Sequence, residues 1–205
     1  SGLSDFPKKQ SGLSDFPKKQ GLYDPDNEHD ACGMGFVVNV KGIQSHAIVL
    51  QGLEVLENIE HRGACGCEPN TGDGAGILTQ VPDRFFRSAC EFGLPEKGKY
   101  GVGVIFMPRE KAYREICRAI IEKVVSDEGQ KLLGWRAVPV DNSDLGDTAL
   151  VAEPQMWQVF VERVNLADED PLGFERTLYL IRKRAEKEAR DKLGESGFYV
   201  ASFSS

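Results

Sequence analysis

"KYGVGVIFMPREKAYREICRAIIEKVVSDEG", residues 99–129, changes its period partway along. Residues 99–108 are an apolar run with β-branched Val102, Val104 and Ile105, which predicts a strand. From residue 109 the spacing becomes helical. Ile116, Ile120 and Val124 share one face, and Gly129 supplies a stop. Further on, "LLGWRAVPVD" (132–141) reads as a strand and "PQMWQVFVERV" (154–164) alternates like another. "GFERTLYLIRKRAEKEARDKLG" (173–194) predicts a long charged helix ending at Gly194, and "SGFYVASFSS" (196–205) a last strand. Strand, helix, strand, strand, helix, strand is the order of a split βαβ layer, with two helices on one sheet.

Upstream, "CGMGFVVNV" (32–40) predicts a strand thinned by glycine at its start, and Lys41-Gly42 a turn. Residues 45–60, "SHAIVLQGLEVLENIE", place Ile48, Leu53, Leu56 and Ile59 at helical spacing, with Ser45 as the cap. The glycine-rich "HRGACGCEPNTGDGAGILTQVP" (61–82) is expected to run into a strand at residues 76–81. Residues 1–10, "SGLSDFPKKQ", recur unchanged as residues 11–20. The unit is too short and polar to stack a core, so it reads as a duplicated leader or an assembly scar, outside the fold. "GLYDPDNEHD" (21–30) continues it with turn-forming residues.

The 205 residues suffice for one good-sized domain or two small ones. A net charge of −7 argues against nucleic-acid or anionic-membrane partners, which need clustered Lys and Arg. No apolar run reaches the roughly 20 residues of a membrane span, and the N-terminus lacks the pattern of a secretory signal. Five cysteines without framework spacing fit a reducing, cytoplasmic setting, with thiols free, buried or catalytic.

"HDACGMGF" (29–36) sets Cys32 between a charged, turn-rich leader and an apolar run. A thiol of pKa about 8.5 needs a base to become a nucleophile. His29, His46 and His61 are the chain's histidines, and none sits in a local thiol–histidine signature. The cysteine's own α-amine, of pKa about 7.7–8.0, would serve if the bond before Cys32 were cut, making residues 1–31 a propeptide. Taken alone, the octet favours a small buried residue, the commoner role of cysteine. Arg62, in "HRGACGC", offers a permanent charge that would steady a thiolate or bind the backbone of a new terminus. Its plainer role is that of a basic residue at a helix C-terminus.

"GLYDPDNEHDACGMGF" together with "EHRGACGCEPNTGDGAGILTQVPDRFF" closely resembles the start of glutamate synthase large chains, their N-terminal class II glutamine amidotransferase domain. The likeness is specific from Gly21 to about Phe86. It continues more loosely through "KYGVGVIFMP" to "GFYVASFSS", so it covers all but the repeated leader. It implies an α+β fold: the N-terminal part of a four-layer αββα N-terminal nucleophile hydrolase sandwich, carrying the split βαβ-like layer as an insertion. It implies that residues 1–31 are a propeptide and 32–205 an amidotransferase domain incomplete at its C-terminal end. It also implies that Cys32 attacks the side-chain amide of L-glutamine. The ammonia would feed reductive amination of 2-oxoglutarate elsewhere in the enzyme. FMN and an iron–sulfur cluster are implied for that larger enzyme and no cofactor for this segment. The implied partners are the remaining domains of the large chain and a small electron-transfer subunit or ferredoxin. The family places its glutamine-binding Arg in "HQRFST" and its oxyanion Asn–Gly pair in "HNGE". Neither string occurs here, so residues 1–205 alone are expected to be inactive. A self-standing amidohydrolase and a non-catalytic fragment are the competing readings.

The remaining signals point to structure. Cys65 and Cys67 have no second pair to complete a four-ligand zinc site, so no metal is expected. "GDGAG" (72–76) has the wrong spacing for a dinucleotide loop and reads as a tight turn, with Asp73 a turn carboxylate. Cys90 and Cys117 read as packing residues on helical faces. The basic stretch 182–192 is interleaved with acids and reads as a solvated helix face.

Overall fold

The computed structural model describes Lys19, Gly21, Asp170 and residues 33–59, 70–72, 74–164, 172–194 and 197–205. The chain divides into two compact units, residues 1–67 with 72–77, and residues 68–71 with 78–205.

The first unit contains α1 (His46–Asn58). Ser45 holds the N-cap position in extended conformation, but its side chain makes no capping hydrogen bond. The expected apolar stripe is only half-buried at Ile48, Leu56 and Ile59, and Leu53 is exposed. The expected strand at 32–40 is not formed over its described part, residues 33–40. Alternation is nevertheless present. Met34, Phe36, Val38 and Val40 are strongly exposed, while Val37 and Asn39 are half-buried. A period of two without a partner strand leaves the ladder unmade, and pairing is what turns an extended chain into a strand. The strand expected at residues 76–81 is absent for the same reason: Leu78 is almost fully exposed.

The second unit opens with α2 (Asp83–Ala89), too short for its periodicity to be read from sequence. Cys90 follows as the half-buried, extended C-cap of α2 and not on its helical face. Then come β1 (Tyr100–Met107), α3 (Lys111–Asp127), β2 (Lys131–Ala137), α4 (Asp147–Ala152), β3 (Gln155–Glu162), α5 (Gly173–Leu193) and β4 (Tyr199–Ser204). The predicted strand and helix order is met, with α4 as an added short turn of helix. The sheet runs β2-β3-β1-β4, and every neighbouring pair is antiparallel. That order is the split βαβ arrangement, because β1 and β2 are each joined to β3 while lying parallel to one another.

Two apolar layers sandwich this sheet. On one face Ile105, Met107, Val159, Val161 and Val200 pack with Ile120, Ile121, Val124 and Val125 of α3 and with Phe174, Leu178, Ile181, Ala185 and Ala189 of α5. On the other, Tyr100, Val102 and Phe160 pack with Phe86, flanked by Phe92 and Leu94. Burial on both faces explains why Val159, Phe160 and Val161 are apolar in succession at the end of an otherwise alternating strand. On α3, Ile120 and Val124 are buried as expected. Ile116 lies at the exposed margin, and its place in the core is taken by Cys117. α3 ends in a Schellman cap. Gly129, with φ 70°, donates its N–H to the Ser126 carbonyl, and Gln130 donates its N–H to that of Val125. The basic stretch of α5 is largely solvated, though Arg184 reaches across to Asp127 and Glu128 at the end of α3.

Candidate functional site

Cys32, Arg62, Cys65, Cys67 and Asp73 lie outside the described residues, as do His29 and His61. The described surroundings are the exposed backbone of residues 33–36, the helix α1 that follows, and the ends of the glycine-rich loop. Gly74 has φ 83°, a left-handed conformation that suits glycine; the turn expected of "GDGAG" falls partly outside the described residues. Asn70 donates from its side-chain amide to the backbone carbonyl of Asp144 at 2.9 Å, tying the second unit's part of this loop to residues 141–146. His46 is the exposed first residue of α1.

The two described cysteines are poor nucleophiles. Burial pushes the Cys117 thiol up to about 11 and raises that of Cys90, with Arg136 opposing the latter rise. Both are held as thiols at neutral pH, whereas attack requires thiolate. Among the described residues no group of three or more His, Cys, Asp or Glu side chains is placed to hold a metal ion.

One polar cluster went unread in the sequence. Arg87 pairs with Asp83 through Nε and Nη2, each at 2.9 Å, and also donates to the carbonyls of Leu94 and Pro95. Tyr100 donates its hydroxyl to Asp83 at 3.0 Å. The Arg87 guanidinium, aided by that hydroxyl, holds the Asp83 carboxyl below the usual range. Burial, and then the bond to Asp83, pushes the Tyr100 phenol up to about 12. Only the i,i+4 spacing of Asp83 and Arg87 could have signalled the pair. The cluster borders a cleft of about 680 Å³ lined by Leu78, Val81, Lys97, Tyr100 and Ser204, among other described residues.

This core sets an alkaline limit. Tyr100 and Cys117 are neutral in the fold, with pKa values above their ordinary 10.0 and 9.0. Their contribution to stability is therefore complete below the ordinary values and lost as pH rises through about 11 and about 12. The melting temperature is expected to fall from about pH 9 upward, and less steeply in a Tyr100→Phe, Cys117→Ala double variant. Identical alkaline profiles for the two proteins would refute the assignment.

The sequence profile of class II glutamine amidotransferases matches residues 32–205, beginning at Cys32. The chain belongs to this family. It is 46% identical over 190 residues to the glutamate synthase [NADPH] large chain of Bacillus subtilis, covering 90% of this chain and 12% of that protein. It is 45% identical over 196 residues to the glutamate synthase [NADH] of Saccharomyces cerevisiae, covering 89% and 9%. The ferredoxin-dependent glutamate synthase 2 of Synechocystis is 39% identical over 180 residues, covering 86% and 11%. The chain thus spans about a tenth of the length of these relatives. Among the described residues no helix is long and apolar enough to cross a membrane.

Proposed function

We propose that this chain is the glutaminase portion of a glutamate synthase. It would hydrolyse L-glutamine to glutamate and ammonia for reductive amination of 2-oxoglutarate elsewhere in the full-length enzyme. The observation that carries this reading is the 46% identity to a glutamate synthase large chain across 90% of the residues, within a family match that starts at Cys32. In this reading residues 1–31 are a propeptide and residues 32–205 are the first part of the amidotransferase domain. The Cys32 thiolate attacks the glutamine amide carbon. The freed α-amine takes the thiol proton and passes it to departing ammonia, and water then cleaves the thioester. Arg62 hydrogen-bonds the backbone at that new terminus and steadies the thiolate.

The antiparallel sheet β2-β3-β1-β4 is, in this reading, a split βαβ-like insertion carried by the N-terminal part of a four-layer αββα sandwich. The exposed apolar row Met34, Phe36, Val38 and Val40 supports a further cover on residues 33–40, since apolar side chains on an unpaired edge call for one. FMN, an iron–sulfur cluster and a redox partner, either a small electron-transfer subunit or ferredoxin, would serve the synthase portion of the full-length enzyme. The test is N-terminal sequencing of active full-length enzyme, which is expected to begin at Cys32. Active enzyme that still begins upstream of Cys32 would overturn the α-amine mechanism.

A further inference from the structure

In the segment that follows the proposed nucleophile, Gly35 comes close to Val55 of α1. A Cβ built on Gly35 would lie 2.5 Å from Val55 Cγ1, far inside contact distance, but 3.8 Å from Val55 Cβ and 3.9 Å from Cγ2. Gly35 is not among the glycines with positive φ, so its backbone does not demand glycine. The demand comes from one methyl group of Val55. On the same helix, Gly52 has open space where its side chain would be, so the crowding is specific to the Gly35–Val55 approach.

An N-terminal nucleophile carries thiol and base on one residue with no chain before it. Its position must therefore be set by the backbone after it. Cys32 precedes Gly35 by three residues, at most about 11 Å of extended chain. Met34 and Phe36 are 95% and 89% exposed, and Gly35 is exposed on one side as well, but its backbone lies close against Val55 on the other. We propose that Val55 is a positioning residue: its Cγ1 methyl occupies the place of a side chain at 35 and fixes the backbone that carries Cys32. The proposal rests on Cys32 being the nucleophile.

The pair predicts a rescue. Gly35→Ala would press a methyl against Val55, whereas removing the Val55 Cγ atoms would leave that methyl in ordinary contact at 3.8 Å. In the full-length enzyme, Gly35→Ala is expected to lower the glutamine-dependent kcat about 100-fold, the scale of a misplacement near 1 Å, with the KM for glutamine little changed. Val55→Ala should lower kcat only about fivefold, and the double variant should recover to about that level. Ammonium-driven synthesis should be unaffected in all three. Wild-type kcat in Gly35→Ala, or a double variant no better than Gly35→Ala, would overturn the proposal. If Gly35→Ala yields no folded protein, Val55→Ala decides alone: reduced kcat at constant KM supports the proposal, and unchanged kcat overturns it. Cys32→Ser run alongside separates the two readings. Retained ammonia release there removes the nucleophile assignment itself, whereas a dead Cys32→Ser beside a fully active Gly35→Ala removes only the role of Val55.

Discussion

Cys32→Ser in the full-length enzyme is expected to abolish ammonia release from glutamine while glutamate synthesis from added ammonium continues. Losing the nucleophile of a covalent hydrolase costs on the order of 10⁴–10⁶ in kcat. A serine hydroxyl ionises far less readily than a thiol, so an α-amine base cannot make up the difference. Synthesis should survive because, in the proposed division of labour, it uses a separate site that free ammonium can reach. Cys65→Ser and Cys67→Ser should keep most glutaminase activity. Cys90 and Cys117 are set aside on physical grounds, since burial raises both thiols. Steady-state assays with glutamine and with ammonium as nitrogen source read all of these variants. An enzyme that needs Cys65 or Cys67 but tolerates Cys32→Ser would refute the site assignment.

Phe160→Ala is expected to cost about 3–5 kcal/mol of folding stability. Phe160 is fully buried, and its ring centroid lies 5.0 Å from that of Phe86, 5.2 Å from Phe92 and 6.4 Å from Tyr100. The first two contacts are edge-to-face, an arrangement worth something beyond the buried area. The ring joins α2 and residues 90–94 to the centre of the sheet, so its removal leaves a cavity between elements that cannot close on their own. Against a typical stability of 5–15 kcal/mol the loss is large. It corresponds to a fall of roughly 6–20 °C in melting temperature for a domain of this size. Phe160→Leu should cost less, because it keeps most of the apolar volume. Thermal or urea unfolding followed by circular dichroism measures both. A loss below about 1 kcal/mol for Phe160→Ala would show that the aromatic cluster is not a core.

The two predictions draw on different kinds of legibility. Cys32 is proposed from chemistry, which needs a particular residue beside a particular chain end, and from the specific strings "HDACGMGF" and "HRGACGC" around it; it lies outside the described residues. Phe160 was readable as apolar but not as the hub of four rings. Its partners Phe86, Phe92 and Tyr100 come from α2, the loop at residue 92 and β1, all far from Phe160 along the chain. The Asp83–Arg87–Tyr100 cluster escaped notice for the same reason, as did the Gly35–Val55 fit: each depends on a distance across the fold.

Sequence by itself determined the order of the four strands and two long helices from residue 99 onward, though not the short α4, and the two helix stops at Gly129 and Gly194. It also determined that the segment 173–194 would be a long charged helix. These are local properties: period, cap and breaker act within a few residues of one another. Tertiary structure decided the rest. It made the run around Phe160 a strand buried on both faces, and it set Cys117 rather than Ile116 into the core. It also left residues 33–40 and 76–81 outside any strand, although both read as strands. A strand exists only when a second chain segment completes its hydrogen bonds, and no property of the strand's own residues can supply that partner.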